Sequence, residues 1–244
     1  MGQPEAIAGP VALGVDAAGP HGWAGVVVGA GGFRAALVAP TLAGLIAEAE
    51  ADLGVPMAVV GVDIPIGLVE APRRHADVAA RAYVGARRSS VFWTPHRAAI
   101  DAADQAAANV VLGELGMPGV SAQAWNLVPR IRDAAAVAAA DDRVVEVFPE
   151  ASFRAMAGTD LAHGKKVAAG ALQRLALLAS ADPPIVLPSD PAVLGPAGSV
   201  ALDDLFDAAA AAWTAWRVAH GLAEALGDPA ERDASSGRRI AVWV

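Results

Sequence analysis

Two apolar runs end in aspartate in the same way, Leu13-Gly14-Val15-Asp16 and Val60-Gly61-Val62-Asp63. Open α/β sheets place their sites at the carboxyl edge of the strands, so acids at these two ends are candidates for chemistry. If the runs are neighbouring parallel strands, their backbones lie about 4.8 Å apart. Two carboxylates then face one point, an arrangement that grips Mg²⁺ or Mn²⁺. Mg²⁺ keeps several waters, so one or two further acids complete the set. In Leu202-Asp203-Asp204-Leu205-Phe206-Asp207-Ala208, Asp204 and Asp207 are i,i+3 neighbours on one helix face. Glu146-Val147-Phe148-Pro149-Glu150 offers another donor. Alternation puts Glu146 on the same strand face as Phe148, whereas Glu150 lies past the proline, level with the other strand-end acids. The predicted metal ligands are therefore Asp16, Asp63, Glu150 and Asp207, with Asp204 as a further catalytic acid. Singly, Asp16 and Asp63 also suit turns, and Asp203 or Asp204 a helix cap; their joint arrangement is what singles them out.

A basic segment follows the second aspartate run. Between Ala71 and Ile100 stand Arg73, Arg74, Arg81, Arg87, Arg88 and Arg97 against one acid, Asp77, inside a chain of net charge −8. Cationic side chains beside an acidic metal site can neutralise substrate phosphates. Arg87 and Arg88, followed by the hydroxyls of Ser89 and Ser90, are the predicted substrate-binding group, on a loop or helix end at the rim of the site. Trp93, Trp125, Trp213 and Trp216 could stack bases, but the helical spacing of the last two suits a core.

The elements that must position these residues can be read from the pattern. Val11–Ala17, Trp23–Val28 and Phe33–Val38, separated by glycine-rich turns, predict a three-stranded antiparallel meander. Apolar spacing predicts a helix over Thr41–Asp52, and Met57–Val62 then reads as a strand parallel to the first. Further helices are expected over Arg73–Val84 with Pro72 at its start, from Pro95 through Leu115, from a Ser121 cap to about Ala140, over Lys165–Ala179 and over Asp203–Leu226. Strands are expected over Arg143–Phe148, broken by Pro149, and over Arg239–Val244 at the end. Asp182–Ser199, rich in proline and glycine, reads as a surface excursion.

These motifs in this order resemble a bacterial family, domain of unknown function 429, predicted to be ribonuclease H-like nucleases. The resemblance rests on Gly14-Val15-Asp16-Ala17-Ala18-Gly19, Gly22-Trp23-Ala24-Gly25-Val26, Gly61-Val62-Asp63-Ile64-Pro65-Ile66-Gly67-Leu68, Arg87-Arg88-Ser89-Ser90-Val91-Phe92-Trp93-Thr94-Pro95 and Glu146-Val147-Phe148-Pro149-Glu150. It covers about residues 11–220 of what reads as one domain over 1–244. The Asp204-x-x-Asp207-Ala208 helix is similar, over a shorter stretch, to the last catalytic helix of Holliday-junction resolvases. The resemblance implies an α/β fold with a mixed five-stranded sheet, ordered 3-2-1-4-5, flanked by helices with extra helical insertions. It also implies two metals at the carboxylate cluster, with Asp16 as first-strand acid, Asp63 as fourth-strand acid and Asp207, beside Asp204, as helix acid. Ribonuclease H itself takes one acid from the helix after the third strand. There this chain offers only Glu48, Glu50 and Asp52, and so departs from that pattern.

Composition narrows the function classes. Of the 244 residues 61 are alanine, so the positive mean hydropathy reflects small helix-favouring side chains rather than a greasy surface. No run approaches the length of a spanning helix, and Met1–Pro10 lacks the marks of a signal peptide, so the expected setting is the cytoplasm, away from membranes. The absence of cysteine excludes disulfides, a thiol nucleophile and thiolate-bound zinc, and the five histidines show no paired spacing. No GxSxG elbow or helix-opening GxGxxG is present, and Gly158–Lys166 has neither the spacing nor the hydroxyl of a phosphate loop. The expected function is a Mg²⁺- or Mn²⁺-dependent nuclease that cuts phosphodiester bonds by a two-metal mechanism, with a nucleic acid or nucleotide-like phosphate as substrate. Two other classes fit the residues: a noncatalytic binding or scaffold protein of the same fold, and a phosphotransferase of the actin-like group. The last lacks a second nucleotide-binding half in a chain of this length.

Overall fold

The computed structural model describes residues 9–244, so the reading of Met1–Pro10 lies, but for its last two residues, outside the described part. Among the described residues seven strands form one mixed sheet: β1 (Ala12–Ala17), β2 (Trp23–Gly29), β3 (Gly32–Ala39), β4 (Val59–Val62), β5 (Val144–Val147), β6 (Ala225–Leu226) and β7 (Val242–Trp243). Their order is β3-β2-β1-β4-β5-β7-β6. The meander β1-β2-β3 is antiparallel, and β1, β4, β5 and β7 run parallel to one another. The sheet is therefore wider than the expected five strands. The chain end adds β7 alongside β5, and β6 turns back on β7 in a segment expected to be helical.

Among the described residues there are nine α-helices: α1 (Leu42–Leu53), α2 (His75–Tyr83), α3 (Gln105–Glu114), α4 (Ala122–Asn126), α5 (Val128–Ala140), α6 (Pro149–Ala157), α7 (Ala168–Ser180), α8 (Pro191–Leu194) and α9 (Leu202–Ala219). Most departures from the expected spans have local causes. Asp104, not Pro95, starts α3, because its side chain accepts from the Ala107 amide at 2.8 Å. Pro129 divides the helix capped by Ser121 into α4 and α5, since proline suits a first turn and not an interior. Pro149 both ends β5 and begins α6, for the same reason. Arg74 is drawn into a buried ion pair, so α2 starts two residues later than the proline suggests. No helix among the described residues is long and apolar enough to cross a membrane.

The sheet is covered on both faces. Leu13, Val15, Val60 and Val62 point into one core with Leu42, Leu45 and Ile131 of α1 and α5. The alternate residues face the other side, where Ala12 and Val59 pack with Phe153, Ala208 and Trp213 from α6 and α9. Gly14 and Asp16 of β1, Gly61 of β4 and Asp63 just beyond its end fall on this α9 face. A side chain at Gly14 would put its Cβ 1.9 Å from the Ala212 nitrogen and 2.1 Å from the Ala208 carbonyl oxygen. At Gly61 it would lie 2.9 Å from the Ala211 oxygen. The two glycines and the Ala208–Ala212 run thus let α9 lie almost directly on the strands.

Candidate metal centre

That close approach sets the site. Asp16 is two residues beyond Gly14, Asp63 two beyond Gly61, and Asp207 one helical turn before Ala211. The Val15–Val62 pairing puts Asp16 and Asp63 side by side, with the Asp63 amide donating to the Val15 carbonyl at 2.8 Å. Carboxylate oxygens of Asp16, Asp63 and Asp207 all lie within 4.8 Å of one another. Asp16 and Asp207 are buried and Asp63 is partly exposed. Asp16 also accepts from the Ala17 amide at 2.6 Å, which fixes its carboxylate at the strand end. No acid caps α9; its N-cap is Ala201.

The electrostatics follow from three like charges away from water. Burial, then the neighbouring Asp63 and Asp207 charges, hold the Asp16 pKa well above the usual carboxylate range. Burial and Asp207 do the same to Asp63. Burial pushes Asp207 up to about 6 even against an adjacent ammonium. That ammonium is Lys165, whose Nζ bonds to Asp207 Oδ2 and lies 3.8 Å from Asp203. Burial works against the Lys165 charge, yet Asp207, Asp63 and Asp16 outweigh it and raise its pKa.

The trio opens into a cleft of about 520 Å³ whose wall includes Arg87, Ser89, Ser90, Lys165 and Lys166. Glu150 and Asp204 line the same cleft without joining the trio. Glu150, in the first turn of α6, is already engaged: the buried Arg174 donates to both its oxygens at 2.9 and 2.7 Å, and Arg87 Nε lies 3.7 Å away. Asp204 is half-buried on the rim, its pKa raised by burial and by Asp203. Glu146 serves the fold instead, pairing with Arg74 at 2.6 and 2.8 Å and accepting from the Ile66 amide at 2.7 Å.

Arg87, Arg88, Ser89 and Ser90 lie on a 3-10 helix, Gly85–Ser90. Arg87, Ser89 and Ser90 reach the cleft, whereas Arg88 is exposed and outside its lining. Trp213 is buried, as its spacing predicts, while Trp93 is partly exposed. Lys165 was missed by the sequence reading. The one available signal was that Lys165 and Lys166 are the only lysines among 18 basic residues.

The donor set fits a hard divalent cation. Three carboxylates from three elements carry three negative charges against the one positive charge of Lys165. Their separations approach the spread of an oxygen shell about 4 Å across, given Mg–O bonds of about 2.1 Å. Asp16, Asp63 and Asp207 would hold the ion, with no thiolate or imidazole among them to favour a softer metal. In comparisons with known proteins, a family model described as "Protein of unknown function (DUF429)" matches residues 14–232. No curated protein and no solved structure matches the chain.

Proposed function

The chain belongs to the DUF429 family, and we propose that it is a metal-dependent phosphodiester hydrolase, a nuclease of ribonuclease H-like architecture using Mg²⁺ or Mn²⁺. The observation that carries this reading is the convergence of Asp16, Asp63 and Asp207 within 4.8 Å in a cleft whose lining also carries Arg87, Lys165 and Lys166. The strand order β3-β2-β1-β4-β5 within the wider sheet supports the architecture.

Divalent cations bound there supply the activation of an attacking water and the neutralisation of charge on the leaving oxygen. The chain's own residues do the rest. The three aspartates would hold the ions rather than act as nucleophiles. Asp204 and Glu150 add negative charge at the rim, and Arg174 holds the Glu150 carboxylate in place. Arg87 and Lys166, with the Ser89 and Ser90 hydroxyls, face the cleft where the phosphodiester of a nucleic acid would lie. A second reading, a noncatalytic binding protein, is favoured by one feature: Lys165 already offsets part of the trio's charge.

A cleavage panel of single-stranded, duplex and hybrid nucleic acids separates the two. We expect wild type to cut at least one substrate with Mg²⁺ or Mn²⁺ and to stop on chelation. Asp63→Asn, nearly isosteric but uncharged, should melt as a folded protein and lose at least about a hundredfold in rate. Metal-dependent cleavage by Asp63→Asn at the wild-type rate would contradict the assignment.

A further inference from the structure

Two arginines of the basic segment, Arg73 and Arg81, have no carboxylate partner among the described residues and meet on one aromatic ring. Arg73 Cζ lies over the Trp93 ring, 3.6 Å from its centroid, and Arg81 Cζ lies 4.5 Å from it. Both wall a second cavity, of about 360 Å³, which also takes in Ser89, Phe92 and Met117. Ser89 and Phe92 line the carboxylate cleft as well, so the two cavities share a wall. Elsewhere in the segment Arg74 sits between Asp77 and Glu146 and Arg87 lies beside Glu150, while Arg88 and Arg97 line neither cavity. Among the described residues neither Arg73 nor Arg81 forms an ion pair. Arg81 donates to the Val91 carbonyl, and Arg73 is exposed with no protein hydrogen bond from its guanidinium.

A guanidinium stacked on an indole has its plane fixed and its N–H edge free, the disposition in which arginine grips a phosphate with paired hydrogen bonds. Two uncompensated positive charges at one cavity of a protein of net charge −8 concentrate anions there. Because the arginines already lie over the Trp93 ring, the free recognition groups suit a phosphate rather than a stacked base. We propose that this cavity is a phosphate subsite, holding the substrate strand at a phosphodiester other than the one positioned at the carboxylates. The substrate would then be a strand of several nucleotides and not a mononucleotide. The identity of the strand rests on the nuclease reading above; the subsite itself is a claim about binding.

The test is fluorescence anisotropy of a short labelled single-stranded oligonucleotide, without divalent metal, titrated at several salt concentrations and with inorganic phosphate as competitor. Arg73→Gln alters an exposed side chain with no hydrogen bond or ion pair and only the contact on the Trp93 ring, so the variant should melt close to wild type. We expect it to bind about tenfold more weakly and to lose about 0.7 from the slope of log affinity against log salt. Inorganic phosphate should compete poorly. An Arg73→Gln curve superimposed on wild type, or a wild type that does not bind the strand, would overturn the subsite. So would inorganic phosphate binding as tightly as the strand, which would make the cavity a free-anion site. A protein that binds through Arg73 yet cleaves nothing would refute the nuclease reading and leave the subsite standing.

Discussion

Ionised together, Asp16, Asp63 and Asp207 repel one another in a place where water screens them poorly, and Lys165 answers only part of that charge. The consequence is a measurable pH dependence. An aspartate whose pKa is higher in the folded than in the unfolded chain weakens the fold once it ionises. Below its unfolded value, 3.8, it is protonated in both states and there is no penalty; the penalty is complete once pH has risen through the folded value, about 6 for Asp207. Replacing Asp207 with Asn removes the ionisation. The melting temperature of metal-free Asp207→Asn should therefore gain on that of wild type as pH rises from about 4 to about 8. Added Mg²⁺ should raise the wild-type melting temperature more at the upper end of that range than at the lower. A difference between the two proteins that does not vary with pH would show that this carboxylate ionises in the fold as it does in water.

The element that gathers the site is α9, and the condition for its position is the absence of side chains at Gly14 and Gly61. Gly14→Val would drive a Cβ into the backbone of α9 at Ala208 and Ala212, where no side-chain rotation gives relief. We expect a loss of about 3 kcal/mol or more by chemical denaturation, together with loss of metal binding as Asp207 moves away. A Gly14→Val protein of wild-type stability would contradict the packing. Much of this element scale was legible in the sequence. The meander, the parallel β4 and the strand-end acids follow from apolar runs and turn residues, which are local signals. The Gly-Val-Asp endings and the alanine run were equally visible, but that they fit together as one flush contact depends on two segments far apart in sequence. The same distance hid Lys165, which reads as a failed phosphate loop until α9 is set beside it. It also concealed the engagement of Glu150 by Arg174, since a strand-end acid looks the same whether or not a buried guanidinium holds it. Pro149 ends β5 and equally suits the first turn of α6, a double role that the strand pattern alone does not reveal.

Across the whole molecule, a net charge of −8 is distributed so that acids gather at the carboxyl edge of the sheet and uncommitted arginines gather beside them. In the proposed mechanism a divalent cation would join these two halves physically, because it would remove the repulsion that a phosphate otherwise meets at the three aspartates. The central claim is thus that the trio binds such an ion. Mn²⁺ titration by isothermal calorimetry at neutral pH, on wild type and on Asp16→Asn, Asp63→Asn, Asp207→Asn and Lys165→Met, tests it most directly. The account predicts saturable binding by wild type, at least about tenfold weaker binding by each Asp→Asn variant that still melts cooperatively, and tighter binding by Lys165→Met, which removes the competing ammonium. Binding by all three Asp→Asn variants with the wild-type affinity and stoichiometry would contradict it.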